Sequence, residues 1–131
     1  MNIKKGLKLL DEIEGEGDPA VKGDYVKFKL LTYLNKGEEI QVNEIEKRET
    51  WPDEMFFREN GKEYINYSCQ LGKRQNVAAV EYSLCGMKLG GYRKVKASPH
   101  LAYGQKGIPG KVPENAVIIF EIWLRELTHA S

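Results

Sequence analysis

The strongest constraint on the fold of this chain is an apolar residue at every second position of its last long segment, residues 118–125, with charged residues among the intervening positions. Every second position there is apolar, and these positions are Ile118, Phe120, Ile122 and Leu124. Because alternate residues of a strand point to the same face, this period predicts a half-buried strand. Residues 25–34 have the same period, with Val26, Phe28 and Leu30 on one face and lysines on the other. The chain is therefore expected to build on an antiparallel sheet.

Further strands are predicted around these two. Residues 6–24 combine a short apolar run with several glycines and a proline, which indicates one strand and a turn-rich connection. Strands are also expected in residues 64–72 and around residues 92–98. Asn60-Gly61 lies between two strand-like runs and predicts a hairpin, since both residues of such a turn must reach positive φ. The total is about five or six strands.

A single segment, residues 76–91, has the spacing of a helix. Its apolar stripe consists of Val77, Val80, Leu84 and Met87. Asn76 is expected to cap its start, and Gly90 or Gly91 to end it in a left-handed conformation. One helix laid on an antiparallel sheet predicts the α+β class. The length of 131 residues predicts a single domain over residues 1–131.

The charge balance argues against a nucleic-acid partner. The chain has 20 Lys and Arg residues against 19 Asp and Glu, a net charge of +1, and its lysines are scattered between glutamates. A nucleic-acid-binding surface needs a basic face, so none is expected. Neither a signal peptide nor a membrane segment is recognisable, which predicts a cytoplasmic location without a membrane partner. Cys69 and Cys85 are then expected to be reduced thiols.

Several kinds of catalytic site lack their minimum parts. Gly110-Lys111 is followed by valine, where a phosphate-binding loop needs serine or threonine. Residues 15–20 lack the third glycine of a dinucleotide-binding loop. His100 and His129 have no partner at metal-ligand spacing, and no serine lies in a G-x-S-x-G motif. No cofactor and no metal are therefore expected.

A longer pattern is present in residues 86–127, "GMKLGGYRKVKASPHLAYGQKGIPGKVPENAVIIFEIWLREL". Its Gly-Met, Gly-Gly-x-Arg, Pro-x-Leu-Ala-Tyr-Gly, Ile-Pro and final strand resemble, in order and spacing, the FKBP-type peptidyl-prolyl isomerases. Glycines near the N-terminus extend the resemblance, while residues 43–64 form an insertion without counterpart. The resemblance implies a twisted antiparallel sheet of about five or six strands wrapped around one short helix, to which the insertion adds a hairpin.

The resemblance also implies an apolar pocket that binds the proline of an X-Pro segment. Tyr103 matches the tyrosine whose hydroxyl bonds one substrate carbonyl, and Val77 matches the residue whose backbone N–H bonds another. Phe120 and Tyr67 match aromatic walls. Further substrate-binding positions are Leu30, Ile40, Gln41, Val80 and Ile108. The implied ligands are proline-containing peptides, folding proteins and the macrolide inhibitors of the family.

The same residues have a plainer interpretation as packing residues. Val77, Val80, Leu30 and Phe120 are apolar and would be buried in almost any arrangement of these elements. Tyr103 differs, because a tyrosine in a glycine-rich loop is poorly explained by packing alone.

Several pocket positions depart from the family's pattern. Val80 stands in place of a tryptophan, Leu30 in place of a tyrosine, Ile40-Gln41 in place of a phenylalanine-aspartate pair, and Ile108 in place of a frequent histidine. The ring area lost in this way favours a low isomerase activity. It leaves open an alternative, a non-catalytic FKBP-like module that binds a partner protein or an unfolded segment. The insertion is open too: its hairpin either leans over the pocket rim or covers the sheet edge.

Overall fold

The computed structural model describes residues 4–41 and 51–131, and these residues form a six-stranded antiparallel sheet, a two-stranded hairpin and a short α-helix. In chain order the strands are β1 (Leu7–Ile13), β2 (Tyr25–Leu34), β3 (Glu39–Ile40), β4 (Phe56–Glu59), β5 (Lys62–Ile65), β6 (Tyr67–Gln70), β7 (Tyr92–Ala97) and β8 (Ile118–Thr128), and helix α1 is Ala78–Leu84. The predicted α+β class is confirmed. No helix in the two described ranges is long and apolar enough to cross a membrane.

The large sheet has the order β1-β7-β8-β2-β3, and β6 pairs with the first half of β2. Strands β2 and β8 pair along their whole length, with Phe28 opposite Leu124 and Thr32 opposite Phe120. Directly opposite residues share a face of the sheet. Phe28, Phe120 and Leu124 are buried, so this inner face and helix α1 enclose the core, as the period of two predicts.

Helix α1 is shorter than its apolar spacing predicts, because it spans Ala78–Leu84 instead of residues 76–91. Val77 and not Asn76 occupies the N-cap position, and no side chain there bonds the helix. The prediction of Asn76 as the cap is therefore wrong. Three apolar residues of the stripe, Val80, Leu84 and Met87, are still buried, the last of them outside the helix.

The C-terminal end of α1 is set by a contact from another strand. The helix ends before Gly86, which has φ of 89°, and not at residues 90–91 as predicted. The guanidinium of Arg93, on β7, donates to the carbonyls of Ser83 at 2.8 Å and Cys85 at 3.0 Å. These are carbonyls that the end of a helix leaves without a partner.

The hairpin predicted at Asn60-Gly61 is confirmed. Strands β4 and β5 pair across it, and Asn60 and Gly61 both have positive φ, 52° and 79°. The strand expected over residues 64–72 is divided, since β5 ends and β6 begins on either side of Asn66. The N–H of Asn66 donates to the carbonyl of Met55 at 2.8 Å, which takes the backbone out of the hairpin and into the large sheet.

The hairpin covers the outer face of the large sheet, which is opposite to the helix. Lys29 of β2 belongs to this face, where the alternation predicts exposure, but its side chain is only 11% exposed. Its Nζ lies 2.7 Å from Glu59, 4.2 Å from the ring centroid of Tyr64 and 4.6 Å from that of Trp123. The described hairpin therefore packs away from the inner face, and nothing in it supports the rim alternative. Residues 42–50 of the insertion lie outside the described part.

Candidate functional site

A cavity of about 380 Å³ opens beside the core, between β2, β6, the start of α1 and the loop that follows β7. Five of the nine predicted site residues line it, and these are Leu30, Tyr67, Val77, Tyr103 and Ile108. Four separate segments of the chain thus bring the predicted residues to one place.

The loop after β7 holds Tyr103 and Ile108 in the cavity wall by doubling back on itself. The N–H of Gly104 donates to the carbonyl of Pro99 at 2.7 Å, and Ile108 and Val112 exchange backbone hydrogen bonds of 2.9 and 2.7 Å. Gly107 lies inside this fold with φ of 63°, and a Cβ there would come within 2.3 Å of two backbone oxygens. Only glycine fits at this position without moving the backbone.

Tyr103, whose side chain carries a hydroxyl, lines the cavity. Its ring packs against Phe120 with a centroid distance of 6.2 Å. Burial, and secondarily the neighbouring Tyr67, raise the pKa of Tyr103 to about 12. The phenol is therefore protonated at neutral pH and can donate a hydrogen bond. No residue in the described ranges accepts one from it.

Val77 lines the cavity directly before helix α1. Its carbonyl accepts hydrogen bonds from the N–H groups of Val80 at 3.0 Å and Glu81 at 3.2 Å, which start the helix. Its own N–H finds no acceptor among the described residues. Tyr103 and Val77 thus each bring to this cavity a donor that has no acceptor in the described part of the chain.

The other four predicted site residues do not line the cavity. Val80 and Phe120 have no exposed surface and lie in the core, where Phe120 supports the ring of Tyr103. Ile40 is half-buried against the core, and Gln41 is exposed. Tyr67, which does line the cavity, is half-buried, and its ring stacks on that of Phe28 with a centroid distance of 5.6 Å.

Three polar residues that no sequence motif marks also line the cavity: Arg74, Gln75 and Asn76. They belong to the connection between β6 and α1, directly before Val77. Arg74 has φ of 55°, and the Gln75 side chain accepts a hydrogen bond from the N–H of Gln70 at 2.7 Å. Adjacency to Val77 is the one sequence signal that points to them.

The chain also matches known proteins. The profile of the FKBP-type peptidyl-prolyl cis-trans isomerases matches residues 17–125. FK506-binding protein 4 of Aspergillus fumigatus is 30% identical over 123 residues, which is 94% of this chain and 21% of that protein. The 39 kDa FK506-binding nuclear protein of Drosophila melanogaster is 29% identical over 123 residues, 94% of this chain and 30% of that protein.

A 46 kDa FK506-binding nuclear protein of Spodoptera frugiperda is 32% identical over 76 residues, 53% of this chain and 18% of that protein. The chain therefore spans less than a third of the length of these relatives. The profile match covers most of the chain, and the helix and sheet have the arrangement that the resemblance implied. This chain belongs to the FKBP-type peptidyl-prolyl cis-trans isomerase family.

Proposed function

We propose that the cavity binds X-Pro segments of peptides and folding proteins and catalyses cis-trans isomerisation of the X-Pro bond. The observation that carries this proposal is the pair of donors without an acceptor among the described residues, the hydroxyl of Tyr103 and the N–H of Val77, on two residues that line one cavity together with Leu30 and Ile108. Two fixed donors can hold two carbonyls of a peptide while the bond between them rotates.

The reaction needs no acid, base or metal. Amide resonance opposes rotation with a barrier of about 18–20 kcal/mol. The twisted amide has lost the charge-separated resonance form, so an apolar cavity disfavours the planar ground state more than the transition state. That difference lowers the barrier to rotation. The donors lower it further by fixing the flanking carbonyls.

Each wall has a part in this scheme. Leu30 and Ile108 provide apolar contact for the proline ring. The Tyr103 hydroxyl donates to one substrate carbonyl, and its pKa of about 12 keeps it protonated over the physiological range. The N–H of Val77 donates to a second carbonyl. Tyr67 closes the remaining side with an aromatic ring.

The second candidate function is a non-catalytic module that binds proline-containing segments. Val80 is fully buried, so the cavity has no aromatic floor. Arg74, Gln75 and Asn76 make one wall polar, which weakens the apolar environment that rotation requires. Both features favour binding over catalysis, and for the enzyme they predict a low kcat/KM.

The test is a protease-coupled isomerisation assay with the variant Tyr103→Phe. Loss of one hydrogen bond, about 0.5–1.5 kcal/mol, should lower kcat/KM by about twofold to twelvefold. The free energy of unfolding should change by less than about 0.5 kcal/mol, because the ring stays packed on Phe120. Tyr25→Phe is the control, since Tyr25 is 53% exposed on the outer face.

An unchanged kcat/KM in Tyr103→Phe, with reduced stability, would make Tyr103 a packing residue. Rates equal to the uncatalysed rate at high protein concentration, with peptide binding retained, would select the binding module. A macrolide such as FK506 is expected to compete with peptides for the cavity in either case.

We retain the cytoplasm as the proposed location. Two of the relatives are described as nuclear proteins, so fractionation of cells that express the full chain should include the nucleus.

A further inference from the structure

A second cavity, of about 540 Å³, adjoins the first. Arg74 and Asn76 line both cavities, so residues 74–76 form a ridge between them. An extended peptide rises by about 3.3 Å per residue. A peptide held in the first cavity would therefore enter the second within a few residues of its proline.

The second cavity is positively charged. Lys22, Arg74 and Glu81 line it together with Tyr82, and the Nζ of Lys4 lies 4.9 Å from the ring centroid of Tyr82. Glu81 is the acidic residue of the wall, and its carboxylate already accepts a hydrogen bond from a backbone N–H, that of Gly72, at 3.2 Å.

The two basic side chains of the wall are available to a ligand. Neither Lys22 nor Arg74 forms an ion pair with any residue in the described ranges. Arg74 is exposed and has a left-handed backbone, which is costly for a residue with a Cβ. A guanidinium in this position can bind a carboxylate through two parallel hydrogen bonds.

We propose that the second cavity binds an acidic flank of the X-Pro substrate, with Arg74 and Lys22 pairing with carboxylates close to the proline. The inference rests on the proposed function of the first cavity, because it places the proline there. Charge complementarity and the shared ridge select an acidic segment of the same peptide as the occupant. The carboxylate of Glu81 would repel an acidic segment, although it already accepts a hydrogen bond from the N–H of Gly72.

The test uses matched peptides that differ by Glu, Gln or Lys on either side of the proline. An exposed ion pair contributes up to about 1 kcal/mol, so the Glu peptide should have a kcat/KM about threefold to fivefold above the Gln peptide at low salt. High salt should remove most of this preference. Arg74→Gln should bring the ratio close to one, and Arg74→Glu should favour the Lys peptide.

Lys73→Gln is the matched control, because it removes the same charge from the neighbouring position, which lines neither cavity. It should keep the Glu preference. An equal fall in the ratio for Lys73→Gln and Arg74→Gln would mean that overall charge, and not the second cavity, is responsible. That result would overturn the inference.

The two proposals can fail separately. If the Gln peptide is isomerised and the Glu peptide is no better, the acidic subsite is wrong while the isomerase stands. If no peptide is isomerised, the Kd values of the same peptides, labelled for fluorescence anisotropy, decide the matter. Tighter binding of the Glu peptide, lost in Arg74→Gln, supports the subsite; equal Kd values or no binding overturn it.

Discussion

The two faces of strands β2 and β8 are built from adjacent residues and differ in what they leave open. On the inner face, Leu30 borders a cavity of about 380 Å³. On the outer face, the preceding residue, Lys29, is enclosed by Glu59, Tyr64 and Trp123. One strand therefore carries the candidate site on one side and a closed cluster on the other. Substitutions on the outer face should change stability without changing the isomerisation rate.

The tyrosine hydroxyls on the two sides of the sheet differ in whether they have a hydrogen-bond partner. On the outer face Tyr33 donates to Glu121 at 2.6 Å, and Tyr92 donates to the other carboxylate oxygen of Glu121. Burial, followed by the hydrogen bond to Glu121, raises the pKa of both tyrosines. Tyr103, which packs on Phe120 of the inner face, has no such partner in the described ranges. The outer tyrosines stabilise the fold, and the inner one is available to a ligand.

The largest expected effect is that of Gly107→Ala on the inner face. The new Cβ would meet two backbone oxygens at 2.3 Å, so the loop that positions Tyr103 and Ile108 must move. A displacement of this kind should lower kcat/KM by about a hundredfold, on the order of 2.7 kcal/mol of transition-state binding. The measurement is the protease-coupled assay at a temperature where the variant is folded.

Gly110→Ala separates this clash from backbone strain. Gly110 has φ of 79°, and its Cβ would meet nothing within 4 Å, so the variant carries only the cost of a left-handed residue. Equal losses of activity in the two variants would show that strain alone is responsible and that the loop need not hold its shape.

An intermediate effect is expected for Glu59→Gln on the outer face. The substitution leaves Lys29 without its carboxylate partner while the side chain stays mostly buried. Because Glu59 is 48% exposed, we expect a loss of about 1–2 kcal/mol in the free energy of unfolding, below the cost for a fully buried pair. Denaturant unfolding measures it, and kcat/KM should stay within about twofold of the unmodified chain.

Glu126→Gln is the matched control for this pair. Glu126 lies 3.8 Å from Lys27 on the same face, and both side chains are about half exposed. This substitution should lower the free energy of unfolding by less than about 0.5 kcal/mol. If Glu59→Gln slows isomerisation, the two faces are coupled and the division between them fails.

The smallest expected effect is that of Tyr33→Phe, which depends on pH. The pKa of Tyr33 is higher in the folded chain than its ordinary value of 10.0, so its contribution to stability is fully present below pH 10 and is lost as the pH rises through the folded value. The variant should lose about 1 kcal/mol at pH 8. This deficit should shrink as the pH rises above about 10. Unfolding curves from pH 8 to 11 measure it, and a deficit that grows with pH would contradict the assignment.

The strands and the hairpin could be predicted because their signals are local. A period of two assigned the buried face of β8, and Asn60-Gly61 requires a turn that few other residues accept. The helix ends could not be predicted in this way. Arg93 of β7 binds the carbonyls at the end of α1, and no sequence near the helix contains that information.

The residues of the candidate site also differ in whether the sequence marks them. Tyr103, Val77 and Ile108 were identified because a family pattern and a glycine-rich loop mark them. Arg74 was not, since the connection from β6 to α1 has no period and its left-handed backbone is not visible in the residue type.

Local pattern alone sufficed to establish the class of this fold, because burial of one strand face and the φ angles of a turn depend on residues that are close in sequence. Which side of the sheet is open depends on contacts between distant segments. The alternation assigns Lys29 to solvent, but the hairpin encloses it with Glu59, Tyr64 and Trp123. The cavity on the opposite side exists because four segments far apart in the chain meet there, and that meeting is a property of packing in three dimensions.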